Sequence, residues 1–226
     1  MSRIILMAIT LAVTVAGCNR FPDLTIQVTA NLAPDETNCT IEATQDTILL
    51  RGLYDLNAPA FDYFITPRID SYLVDNSLEN QAVQTNFQVT GFDITIKLPD
   101  GSVPELSGDL PNPYMVTANA VIPPSDSSGD VSSGAAAAPA IPQSYRTAIV
   151  DLLNSSGFNS IVIDVRANGE TSGGFSQQSP PFSWPIDFCE GCLGGLCEQG
   201  SEGEGTGCFP GQDIWPYCAA IVPPAN

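Results

Sequence analysis

Apolar and polar side chains alternate with a period of two in several short stretches of this chain, the pattern of strands that bury one face. The first stretch sets Leu24, Ile26 and Val28 against Thr25 and Gln27. Similar runs recur at 39–54, 61–74, 85–98, 114–121 and 160–169, separated by clusters of Pro, Gly, Asn and Asp. Six or more short strands spaced by turns predict a mainly β fold built as a sandwich. Within 85–98, Phe87 and Val89 share one parity while Phe92, Ile94, Ile96 and Leu98 share the other, so the inward face switches at Gly91. A bulge centred on glycine produces such a switch, and Pro99-Asp100-Gly101 supplies the next turn. In the last clear run Ile161, Ile163, Val165 and Ala167 form a wholly apolar face against a mixed face of Val162, Asp164 and Arg166. That predicts a strand at or near the centre of a sheet.

One segment has a different period. Tyr145, Ala148, Ile149, Leu152 and Leu153 fall at i, i+3, i+4, i+7 and i+8, a single apolar stripe on a helix of about three turns. Ser144 is placed to cap its start, and Asn154-Ser155-Ser156-Gly157 ends it. Such a helix crosses the end of a sandwich between two late strands. The residues before it, 122–141, are low in complexity and read as a mobile loop. After Phe188 the texture changes to glycine, acid and cysteine, with Gly-Ser-Glu-Gly-Glu-Gly-Thr-Gly at 200–207 offering almost nothing to bury.

Composition narrows the function. The chain of 226 residues carries a formal charge of −18, which argues against nucleic acid or an anionic lipid surface as partner, since both need basic patches. Solubility accounts for much of this charge. Histidine is absent, and with it go the Ser-His-Asp and Cys-His arrangements and the usual imidazole metal sites. Lys97, the one lysine, lies in the alternating run 92–98 and is expected to point outward into solvent.

Arg3 followed by the apolar stretch Ile4–Ala16 reads as the start of a secretory signal, too short to span a bilayer. It ends in Val15-Ala16-Gly17-Cys18, which resembles the cleavage and lipidation box of bacterial lipoproteins. The resemblance covers the leader alone. It implies a diacylglyceryl group on the Cys18 thiol, cleavage before Cys18, and a new amine open to acylation. Several acyl chains together hold a protein firmly to a membrane, so the membrane is the partner implied through Cys18. Asn19 in place of an aspartate implies the outer membrane, its face undetermined. The cysteine-rich end resembles those of uncharacterised bacterial lipoproteins, a likeness of texture that implies no activity. The expected organisation is therefore a signal peptide at 1–17, a lipidated tether at 18–23, an immunoglobulin-like β-sandwich with one short crossing helix at 24–188, and a disulfide-stapled tail at 189–226.

Apart from Cys18 six cysteines remain, Cys39, Cys189, Cys192, Cys197, Cys208 and Cys218, an even number in an exported chain, for which three disulfides are the default. If all are paired, Cys39 must join one of the five tail cysteines and staple the tail to the sandwich. The spacing does not select among the 15 pairings open to six cysteines. Cys189-x-x-Cys192 with Cys197 also resembles part of a zinc or thioredoxin-like motif, but export, a loop-rich setting and the lack of histidine favour disulfides.

Gly174-Phe175-Ser176-Gln177-Gln178 starts like a nucleophile elbow and lacks its closing glycine. Gly203, Gly205 and Gly207 have no strand and helix around them to make a dinucleotide site. No residue is nominated as catalytic or metal-binding, and no cofactor is expected. The reading that remains is a non-enzymatic structural or binding role in the cell envelope, with a protein or glycan partner unassigned. Two alternatives stay open: a carboxylate-dependent hydrolase acting on an envelope or extracellular polymer, and a calcium-dependent carbohydrate or cell-contact module using Asp126–Asp130 or Asp100-Gly101-Ser102.

Overall fold

The computed structural model describes residues 25–35, 38–58, 62–73, 86–125, 130–195, 208–214 and 217–218, the last two as backbone. The lipidation box and the loop 126–129 lie outside these residues, as does Cys197. Of the described residues, 48% are in strands, and one short α-helix is present. Among the described residues no helix is long and apolar enough to cross a membrane.

The larger sheet is organised on β10 (Ser160–Thr171), whose residues alternate between buried and half-exposed along its length. On one side β10 pairs antiparallel with β6 (Phe87–Lys97), which pairs in turn with β7 (Tyr114–Ile122). On the other side lie β11 (Ser176–Gln178) and β12 (Phe182–Cys189), and β12 pairs in parallel with β3 (Gly52–Asp55). The smaller sheet has the order β2 (Ile48–Leu49), β1 (Ile26–Leu32), β5 (Pro67–Ser71), β8 (Ser132–Ala135). It curls, because the β5–β8 ladder continues past Thr66 and Ala136 as a separate pair, β4 (Tyr63–Ile65) with β9 (Ala138–Ile141). A further short pair joins β13 (Gly194–Gly195) to β14 (Tyr217–Cys218).

Both sheets contribute to one continuous core. Ile26, Ile65 and Ile69 come from the smaller sheet, and Phe92, Ile94, Ile96, Ile163, Val165, Trp184 and Ile186 from the larger. The helix α1 (Arg146–Ser156) adds Ala148, Ile149 and Leu153, the stripe expected from its period. It begins differently from expectation: Gln143–Tyr145 form a turn of 3₁₀ helix, and the first amide, that of Gln143, donates to Asp62 Oδ1 (2.7 Å) and not to Ser144. Gly157, in the left-handed region at φ 75°, ends it as a glycine C-cap.

The face switch in β6 occurs where the sequence places it. Phe87 and Val89 are buried on one parity and Phe92, Ile94 and Ile96 on the other, and the register with β7 shifts between Val89 and Gly91. A Cβ on Gly91 would come within 2.5 Å of the Val116 carbonyl oxygen.

Three strands differ from the sequence reading. Residues 132–141, expected to be loop, form β8 and β9, where a Cβ on Gly134 would come within 2.2 Å of the Ile122 Cδ1. Small residues let this strand pass close to β7, and they also erase the alternating signal. β12 lies beyond the last strand expected, although Trp184, Ile186 and Phe188 alternate inward. Pro180, Pro181 and Pro185 mask it, since proline argues against a strand interior.

Replacing Gly91 with alanine should cost about 1–3 kcal/mol, because the added methyl meets backbone that cannot rotate away. Urea unfolding read by tryptophan fluorescence measures it, and an unchanged midpoint would contradict the close approach.

Candidate functional site

Ionisable and polar side chains gather in two places, beneath the returning C-terminal segment and on the outer face of the larger sheet. The first is built on β3 and β4. After β12 the chain comes back as Cys208–Ile214 and lies along the free edge of β3: the Asp55 amide donates to the Gly211 carbonyl (2.9 Å), and the Asp213 amide to that of Leu53 (2.7 Å). Gln212, 2% exposed, clasps β4 with both ends of its amide. Its Oε1 accepts from the Phe64 amide (2.8 Å), and its Nε2 donates to the Phe64 carbonyl (2.9 Å). Phe209 stacks on Phe64 with ring centroids 5.2 Å apart. Cys208 is disulfide-bonded to Cys39, with Cα atoms 5.3 Å apart across 169 positions of sequence.

Asp213 carries the charge of this junction. Its Oδ1 accepts from the Leu53 amide (3.1 Å) and the Tyr63 hydroxyl (2.9 Å), while the Trp184 indole N–H donates to that hydroxyl (3.1 Å). Burial pushes the Asp213 carboxyl up to about 6, although bonds from Leu53, Tyr63 and Gln212 pull it the other way. Tyr63, with burial and then the Asp213 charge acting on it, is held well above the usual tyrosine range and stays neutral.

Asp55 lies at the end of β3, fully buried. Its Oδ1 accepts from the amides of Asn57 (2.9 Å) and Gly191 (2.7 Å), and its Oδ2 from that of Leu193 (2.8 Å). It therefore organises the Cys189-x-x-Cys192 turn through the amides of Gly191 and Leu193. Cys189 and Cys192 are disulfide-bonded to each other. Together with Asp55 they fall within 4.8 Å of one another, close enough to surround an ion. The two sulfurs are joined, however, and both carboxylate oxygens are taken, so the donors are spent on structure. Cys218 contributes backbone to β14, and its side chain lies outside the described residues.

The outer face of the larger sheet holds a second set. Arg51 pairs with Asp187 (2.5 Å). Lys97, expected in open solvent, reaches across the sheet to Asp164 (2.5 Å), whose other oxygen accepts from the Ser183 hydroxyl (2.6 Å). Burial acts to raise the Asp164 carboxyl, but the Lys97 and Ser183 hydrogen bonds and the charges of Lys97 and Arg166 together hold it below the usual range. Asp93 accepts from the Gln178 amide (2.8 Å). The calcium candidate Asp100-Gly101-Ser102 is a side-chain turn: Asp100 Oδ1 accepts from the Ser102 amide (2.9 Å) and hydroxyl (2.6 Å), which lowers its pKa. The other candidate, Asp126–Asp130, lies outside the described residues apart from Asp130.

The sequence pointed to the cysteines and gave no marker for Asp55, Tyr63, Gln212 or Asp213. Cys208-Phe209-Pro210-Gly211 is visible as a cysteine beside a turn, but one aspartate among 25 acids has nothing to distinguish it. No protein-family model matches the chain, and no curated protein matches it either.

Two outcomes follow from the junction. Cys39→Ser should lower stability by up to about 5 kcal/mol, the closure entropy of so long a loop, and should open the segment 208–214 to limited proteolysis. Equal cleavage rates in variant and wild type would mean that the noncovalent contacts alone hold the segment. Asp213 binds its proton more tightly folded than unfolded, so its contribution is fullest below about pH 4 and is lost as pH rises through about 6. The loss amounts to roughly 3 kcal/mol. Asp213→Asn should flatten this part of the stability profile, as read by urea unfolding across that range; parallel profiles would refute it.

Proposed function

We propose that this chain is a membrane-anchored lipoprotein with a non-enzymatic structural or binding role in the cell envelope, lipid-anchored through Cys18 at the outer membrane. The single observation that carries the non-enzymatic part is how the buried carboxylates are used. Asp55 accepts three backbone amides, and Asp213 is covered by Leu53, Tyr63 and Gln212. A carboxylate that serves as general acid or base must reach a substrate proton within hydrogen-bond distance, and these two are engaged by the protein's own groups, Asp55 by backbone amides and Asp213 by the Leu53 amide, the Tyr63 hydroxyl and the Gln212 side chain. The lipobox Val15-Ala16-Gly17-Cys18 carries the anchoring part.

We further propose an immunoglobulin-like sandwich as the frame. What supports this reading is that early and late strands sit side by side in each sheet, in the orders β2-β1-β5-β8 and β3-β12-β10-β6-β7, with α1 between β9 and β10. In such a frame the exposed sheet face and the loops at the ends are the surfaces open to a partner.

Cell fractionation tests the anchor. Wild type should sediment with membranes and Cys18→Ala should stay soluble; sedimentation of the variant would defeat the lipid anchor. Protease applied to intact cells, with a periplasmic protein as leakage control, then separates a surface-facing chain from a periplasm-facing one.

A further inference from the structure

Five cationic side chains lie among the described residues, and four are tied. Arg51, Arg68 and Lys97 pair with Asp187, Asp70 and Asp164, and Arg146 donates to the Ala58 carbonyl (3.0 Å). The fifth, Arg166, sits half-buried in the middle of β10 with neither an ion pair nor a hydrogen bond. Neither of the nearest acids bonds it. Asp93, directly opposite on β6, accepts from Gln178, and Asp164 is held by Lys97 and Ser183, so that Arg166 acts on it only through space. Arg166 lines a groove of about 370 Å3 together with Asp93, Thr95, Pro113, Met115 and Gln178, a size within the range of small-ligand sites, about 300–1,000 Å3.

We infer that this groove on the outer face of the larger sheet binds the carboxylate of an acidic saccharide, with Arg166 as its anchor. The inference rests on the binding role proposed above and names its ligand class. A guanidinium presents two parallel N–H groups that match a carboxylate, and the charge makes those bonds strong. The Thr95 hydroxyl is unengaged, and Gln178 Nε2 bonds Asp93 and Asn168 while its carbonyl oxygen accepts nothing. With the outer oxygen of Asp93 they set donors and acceptors side by side, as sugar hydroxyls require. Met115, 65% exposed, and Pro113 form an apolar shelf against which a sugar ring can lay its C–H face. A peptide fits less well: the groove spans β7, β6 and β10, and at its floor the backbone groups of β6 and β10 are paired on both sides within the sheet, so no strand can be added there. The net charge of −18 repels a long polyanion. At physiological salt that repulsion is screened beyond about 8 Å, which leaves a short acidic oligosaccharide free to approach.

The test is calorimetric titration of the full lipidated chain in neutral detergent micelles with tri-galacturonate, a neutral galactose trisaccharide, and a tripeptide bearing a free C-terminal carboxylate. Tri-galacturonate should bind, the neutral sugar at least about tenfold more weakly, and high salt should weaken the acidic sugar. Arg166→Gln should reduce affinity by about tenfold or more, Arg166→Lys by less, and Thr95→Val should weaken binding without touching the charge. All three variants should keep the wild-type melting temperature. No binding by the wild type, equal binding by Arg166→Gln, or a tripeptide that binds as tightly as the acidic sugar would each overturn the assignment. New reducing ends in the titrated sugar would instead defeat the non-enzymatic reading and leave the binding site standing. Absence of binding with no sugar cleavage would remove the site and leave that reading intact.

Discussion

The ladder between β6 and β10 runs from Val162↔Lys97 to Thr171↔Phe87, and the register of that pairing governs the rest of the molecule. Side chains alternate across a sheet, so a slip of one residue in β6 would carry Phe92, Ile94 and Ile96 into water and bring Lys97 into the core, while a slip in β10 would expose Ile163 and Val165 and bury Asp164. Each large apolar side chain is worth about 1.5–3 kcal/mol on burial, which makes the slipped register inaccessible. The register of this ladder shifts once, between the pairs Gly91↔Asn168 and Val89↔Gly169, with Thr90 the extra residue on β6. It lets β6 keep a buried face on both sides of the kink while β10 keeps one parity throughout. A Cβ on Gly169 would collide with the Gln88 carbonyl and the Phe87 ring, so the two strands approach as closely as glycine permits.

The returning segment obeys a different constraint. Cys208–Ile214 is short, and besides the stacking of Phe209 on Phe64 it is held by a covalent bond to Cys39, the amide clasp of Gln212 and the carboxylate of Asp213. These interactions are directional, so the segment has one docked position. It also covers the edge of β3, whose exposed amides would otherwise be free to pair with another chain. The cost is a half-buried carboxylate at Asp213, tolerable because three donors surround it.

On the outer sheet face the same carboxylate excess is handled by matching. Asp187 and Asp164 each hold a cation, and Asp93 holds an amide. Exposed pairs of this kind add little stability, but they fix the positions of the groups around Arg166. An unmatched guanidinium in a strongly acidic chain is the feature from which a ligand class could be inferred.

Periodicity is a local property, and the parts of the fold that depend on it were legible. The central strand 160–169, the face switch at Gly91, and the stripe and Gly157 stop of the helix all follow from the order of residues alone. So did the export signal at Cys18 as an expectation, and the exclusion of histidine chemistry. β8 and β9 were hidden because Ser132–Ile141 is built of small residues chosen for close approach to β7, which removes the alternation that marks a strand. Asp55, Gln212 and Asp213 were hidden for a related reason: their roles depend on partners up to about 160 positions away, brought near only when β3, β4 and the C-terminal segment meet. Short-range pattern determined which segments are strands and which is helix. The tertiary structure alone decided which carboxylates are buried, which cysteines meet and which arginine is left unmatched, because those outcomes depend on distances the chain acquires only by closing on itself.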